Sequence, residues 1–131
     1  MQNLTSNAAE ILLLVFLTIT FLQSGIDKVL DWKGNLGWLN GHFSKTPFKG
    51  NVPLLLGIVL VMEIMSGVLS AVGIVQFVVE GKSYIGFYGA VFAAITLLML
   101  LLGQRVAKDY VGAQTIVIYF IPTLFLVYLM Q

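Results

Sequence analysis

The chain has no cysteine. Disulfides, thiolate metal sites, iron–sulfur clusters and cysteine redox chemistry are therefore excluded within it. Charge is scarce as well. Only 10% of the residues are Asp, Glu, Lys or Arg, against about 25% in a soluble domain. The single histidine, His42, has no cysteine and no carboxylate beside it in sequence, which makes a poor metal site and rules out a haem-binding pair. It reads as a solvated or interfacial side chain. No GxSxG, HExxH, P-loop or GxGxxG pattern occurs, so no catalytic residue is assigned. The net charge of +1 and the lack of a basic cluster leave nothing to hold nucleic acid.

What the chain has is apolar surface. It is 59% hydrophobic, and its mean hydropathy is +0.97. Four runs are long enough to cross a bilayer, which takes about 20 residues. They predict an all-α membrane protein: a single domain over residues 1–131, built as a four-transmembrane-helix bundle. The helices are placed at about 8–26, 52–76, 84–102 and 111–130. The first apolar run has neither a basic leader nor a small-residue cleavage site, and reads as a retained span. The long first connection, 27–53, holds Trp32, Trp38, Phe43 and Phe48 among glycines and lysines. Leu36, Leu39 and Phe43 recur at helical spacing there. This predicts a short amphipathic segment lying in the membrane interface, in contact with lipid. A docking surface for a partner is the alternative.

The second span carries one acid, Glu63, near its middle. Counting from the start of the helix puts it roughly 16 Å deep at 1.5 Å per residue. A carboxylate there needs a partner, a proton or a wet cavity. By the same count Tyr119 is closest in depth, with Thr96 and Thr20 next. Lys28 and Arg105 lie near the membrane surface and need tilt or a bent loop to reach it. The expectation is a protonated Glu63 bonded to Tyr119 or a hydroxyl. Its role is either a proton relay or headgroup site, or a structural hydrogen bond that locks the bundle.

Other polar groups share faces. Thr20, Gln23, Ser24 and Asp27 fall at i, i+3, i+4, i+7, a face that should point at other helices. Ser66, Gly67 and Ser70 lie on the stripe of Glu63. Together with Gly86 and Ala90 on the third span and Gly25 on the first, they predict close helix packing. Asp27, Lys28, Arg105, Lys108 and Asp109 gather at one rim, and read more as ordinary anchoring charge than as an anion site. Pro122 should kink the fourth helix. Lysine and arginine concentrate in the 27–53 and 103–110 connections. The positive-inside rule then puts those in the cytoplasm and both termini outside, with Phe77, Tyr84 and Tyr128 at the outer level.

Ser24-Gly25-Ile26-Asp27-Lys28 followed by Trp32 resembles the signature at the end of the first helix in the DoxX family. Glu63-Ile64-Met65-Ser66-Gly67 with Gly73 resembles that family's second-helix pattern, and Gly103 with Arg105 its link before the fourth helix. One departure is Glu10, where family members often carry arginine. The resemblance implies a bacterial inner-membrane protein linked to quinone-dependent oxidation or to the maturation of redox enzymes. It implies functional positions at Ser24, Gly25, Lys28, Glu63, Gly67 and Arg105, and quinone as the one cofactor to consider.

Three functions follow as expectations. The first is an accessory or structural subunit of a larger membrane complex, with other membrane subunits or its own copies as partners. The second is a quinone-linked oxidoreductase subunit using a pocket of Gln23, Glu63 and Tyr119. The third is a proton-coupled small-molecule carrier.

Overall fold

The computed structural model describes residues 2–131. Among them are six helices and no strand: α1 (Gln2–Ser6), α2 (Ala8–Leu30), α3 (Trp32–His42), α4 (Val52–Glu80), α5 (Tyr84–Val106) and α6 (Tyr110–Met130). Four of them, α2, α4, α5 and α6, are long and apolar enough to cross a membrane. The protein is an all-α bundle of four spans.

The helix ends follow local chemistry. The α4 helix runs on to Glu80, where Gly81 takes a left-handed φ of 77° and closes the last turn. Glycine does this without a Cβ penalty. Ser83 then starts α5 by accepting from the Gly86 amide at 2.7 Å, while its hydroxyl donates to Gln76 Oε1 at 2.8 Å. Asp109 starts α6 in the same way, through the Gly112 amide at 2.9 Å. Asp31 separates α2 from α3 and caps the latter through Gly34. With no glycine or proline between Ile26 and Lys33, nothing stops α2 at 26, and it continues to Leu30. At the opposite end α1, which precedes the first predicted helix, is tied down by asparagines. Asn3 donates to the Val78 carbonyl at 2.9 Å and Asn7 to the Gly81 carbonyl at 3.1 Å.

The bundle is packed unevenly along its length. Its main apolar core joins Leu14, Leu17, Phe21, Phe77, Ala90 and Leu126. These lie toward the end where α1 sits. Phe77 is thus a core residue, 4% exposed, and not an outer belt aromatic: the longer α4 keeps it inside the bundle. Close approach of α4 and α5 builds this half. A Cβ on Gly73 would run into the Gly86 backbone, and one on Gly89 would lie 2.9 Å from the Ser70 amide nitrogen. Ser66, Ser70 and Ala90 are buried in the same seam. The α6 helix buries little, only Ala113, Thr123 and Leu126. It passes Pro122 without a break in helical assignment, and the Thr123 hydroxyl donates to the Tyr119 carbonyl at 2.8 Å.

Gly73→Ala is expected to cost about 1–3 kcal/mol, because backbone atoms cannot move aside as a flexible side chain can. Gly37→Ala, where a Cβ meets nothing within 4 Å, is expected to cost nothing. Thermal unfolding of the two variants in one detergent measures the difference.

Candidate functional site

The site begins where α2 crosses α4. A Cβ on Gly25 would collide with the Ile64 side chain, and one on Gly67 would lie 2.6 Å from Leu22 Cγ. Two glycines one helix apart thus let the backbones close up, as small residues do in membranes. One turn beyond Gly25, Lys28 turns inward. Its Nζ lies 3.0 Å from Glu63 Oε1 and 3.3 Å from Oε2. It also donates to Ser24 Oγ, four residues back on its own helix, at 2.8 Å. Glu63 is 1% exposed and the Lys28 side chain 16%. Only the Oε2 contact has hydrogen-bond geometry. Oε1 has charge close by and no hydrogen bond.

This corrects the bond from Glu63 to Tyr119 or a hydroxyl expected from sequence. Its partner is Lys28, and no hydrogen bond joins Glu63 to Tyr119 among the described residues. The sequence reading ended the first helix at Ile26, which put Lys28 in a loop. Continued to Leu30, α2 carries Lys28 on its last turn, and its long stem covers the remaining depth. Such stems more often reach outward to water. Here the buried carboxylate holds the ammonium inside, since attraction at about 3 Å is strong in a medium of low dielectric constant.

Two cavities flank the pair. One, of about 400 Å³, lies between α2, α5 and α6 and is lined by Thr20, Gln23, Ser24, Glu63, Leu97 and Tyr119. The face of α2 that was expected to press on other helices opens into this cleft instead. Gln23 is exposed, and Thr20 and Ser24 are half-buried. Tyr119 stacks against Phe16, with ring centres 6.0 Å apart. The side chains of Thr20, Gln23 and Tyr119 make no hydrogen bond within the described residues. Thr96, expected at a similar depth, is fully buried and spends its hydroxyl on the Phe92 carbonyl at 2.7 Å.

The other cavity, of about 450 Å³, lies under α3 and the segment that follows it. It is lined by Lys28, Trp38, Phe43, Phe48, Leu56 and Gly103, among others. His42 stands at this cavity with its Nε2 3.0 Å from Gln104 Oε1, and its ring lies on Trp38 at 4.6 Å between centres. It is therefore built into the structure and not merely solvated. Little in the sequence marks this cavity. Its only signal was the spacing of Trp38, His42, Phe43 and Phe48, which cannot say what the aromatics cover.

The remaining rim charges do not form one cluster. Arg105 is exposed and lies over the Tyr110 ring, 4.8 Å from its centre. Asp27 and Lys108 are exposed. Asp109 faces His42 at 3.8 Å. Among the described residues no three of His, Asp and Glu come together as a metal ion would require.

The fold and site define a class: a four-span helical membrane protein with a buried lysine–glutamate pair between two cavities. No family model, no curated protein and no solved structure matches the chain.

Removing one member of a buried pair leaves the other charge uncompensated, so Glu63→Gln is expected to cost about 3–5 kcal/mol. The double variant Lys28→Met/Glu63→Gln is expected to recover much of that loss. Equilibrium unfolding of Glu63→Gln, Lys28→Met and the double variant measures the coupling.

Proposed function

We infer that this protein is an accessory subunit of a larger, redox-linked membrane complex, and that its own contribution is to receive a quinone headgroup. The observation that carries this reading is the cleft between α2 and α6. Hydrogen-bonding groups within a membrane span need partners, because hydrocarbon offers none. Thr20, Gln23 and Tyr119 have none among the described residues, yet they line one cavity of about 400 Å³ together with Glu63. That volume lies in the usual range for small-molecule sites.

A quinone supplies what the cleft lacks. Its ring is flat and apolar, it dissolves in the membrane, and its carbonyl oxygens accept from the Tyr119 hydroxyl and the Gln23 amide. Its reduced form donates hydroxyl protons, which the unbonded Oε1 of Glu63 can accept. The redox group that exchanges electrons with it belongs to a partner. Resemblance to the DoxX family at Ser24–Lys28 and Glu63–Gly67 supports the same assignment. Under this reading the chain sits in a bacterial inner membrane, with the lysine-rich connections in the cytoplasm and both termini outside, as the positive-inside rule requires. A proton-coupled carrier finds less support, because Lys28 already matches the charge of Glu63.

Binding of a short-chain quinone to the purified protein, followed by calorimetry in detergent, tests the headgroup site. Tyr119→Phe and Gln23→Leu leave the ion pair in place. Each is expected to weaken binding about 5- to 10-fold, the worth of one hydrogen bond of about 1–1.4 kcal/mol. Unchanged affinity in both variants refutes the headgroup site. Purification in mild detergent is expected to bring other membrane subunits with the protein, and a lone, fully active monomer refutes the accessory role.

A further inference from the structure

The second cavity, under α3, has a different character from the first. Its wall is apolar and aromatic: Phe43 and Phe48, their rings 5.8 Å apart, close it from the loop side. Leu56 and Gly103 form its floor, from α4 and α5. A Cβ on Gly103 would rest against Phe43 Cζ at an ordinary 3.5 Å, so a side chain longer than alanine's would enter the space. Trp38, Ile58 and Leu102 also line the cavity and are exposed on the outer surface of the bundle. The cavity therefore opens toward the bilayer at the level of the α2 and α5 ends, which is headgroup depth.

The loop side of this opening carries basic charge. The segment 43–51 supplies both phenylalanines, and it carries exposed Lys45 and Lys49 with no acid. Of the carboxylates at this end of the bundle, two cap helices and Asp27 is exposed on α2. Asp31 caps α3 through Gly34, and Asp109 caps α6 while facing His42. The Lys28 ammonium inside is neutralised by Glu63, so the interior itself selects no charge. An occupant that is apolar within and anionic beside Lys45 and Lys49 fits this arrangement.

We propose that the cavity under α3 is a binding site for one acyl chain of an anionic glycerophospholipid, drawn from the leaflet on the lysine-rich side. The chain lies between Phe43 and Phe48 and over Gly103, and its phosphate meets Lys45 and Lys49. This site is separate from the Glu63 cleft and stands whether or not that cleft takes a quinone.

Trp38 reports occupancy directly. In the Trp32→Phe variant it is the only tryptophan, because the chain has two. This variant is reconstituted in phosphatidylcholine vesicles doped with dibrominated phosphatidylglycerol or with dibrominated phosphatidylcholine, and quenching is titrated. A lysine near an anionic headgroup is worth about fivefold in affinity, so phosphatidylglycerol is expected to be preferred about 25-fold. Lys45→Gln/Lys49→Gln is expected to bring the preference close to one. Gly103→Leu is expected to abolish the saturable quenching by filling the floor, with Leu55→Phe as a second filler should the first fail to fold. Equal, unsaturable quenching by both lipids overturns the proposal. So does saturable quenching that survives a filler with native helix content. Competition by free dibromostearate as strong as by phosphatidylglycerol also overturns it, in favour of a fatty-acid site.

Discussion

The ion pair between Lys28 and Glu63 sets the terms for the rest of this molecule. Charges inside a bilayer are costly, and two of opposite sign at about 3 Å remove much of that cost from each other. The contact requires that α2 and α4 approach closely, that α2 extend past Ile26, and that Lys28 turn inward. Gly25 and Gly67 meet the first requirement. Absence of a helix breaker before Asp31 meets the second. Ser24, one turn back, holds the ammonium in place and meets the third. Each is an ordinary local feature, and together they fix one arrangement of the first two spans.

The pair also marks a boundary along the bundle. On the α1 side, glycine and serine seams bring α4 and α5 together over a core of leucine, phenylalanine and alanine. On the lysine-rich side the helices part, and two cavities lie on either side of the pair. A bundle packed at one end and open at the other is suited to holding ligands, because the tight half fixes the geometry of the loose half. The two cavities differ as chemistry would require for two different occupants. One is lined by hydroxyl and amide groups, the other by aromatic rings.

Hydroxyl and amide groups within the spans are not all satisfied in the same way. Ser66, Thr96 and Thr123 donate to carbonyls one turn back on their own helices, which satisfies them within the helix. Thr20, Gln23 and Tyr119 do not, and they converge on one cleft beside Glu63. Convergence of unsatisfied groups, and not their number, is what distinguishes a site from a set of helix hydroxyls.

Much of the architecture was legible in the residues. Four apolar runs, each near the length a bilayer demands, announce four spans. The spacing of Leu36, Leu39 and Phe43 announces the helix between the first two. The sequence also singled out Glu63, because an acid in the middle of such a run cannot be casual. It did not reveal the partner of Glu63. Depth counted along a helix is a one-dimensional measure. It put Tyr119 level with the acid and Lys28 far above it, whereas a lysine stem and a few extra helical residues span that difference. Nor could it reveal the cavity under α3, since a list of aromatics does not say whether they fill a space or surround one. By itself, then, the sequence determined the four long helices, the number of spans and the one costly charge, all of which follow from local hydrophobicity. Only the tertiary structure decided which cation answers that charge and where the bundle stays open, because both depend on how closely helices distant in sequence can approach.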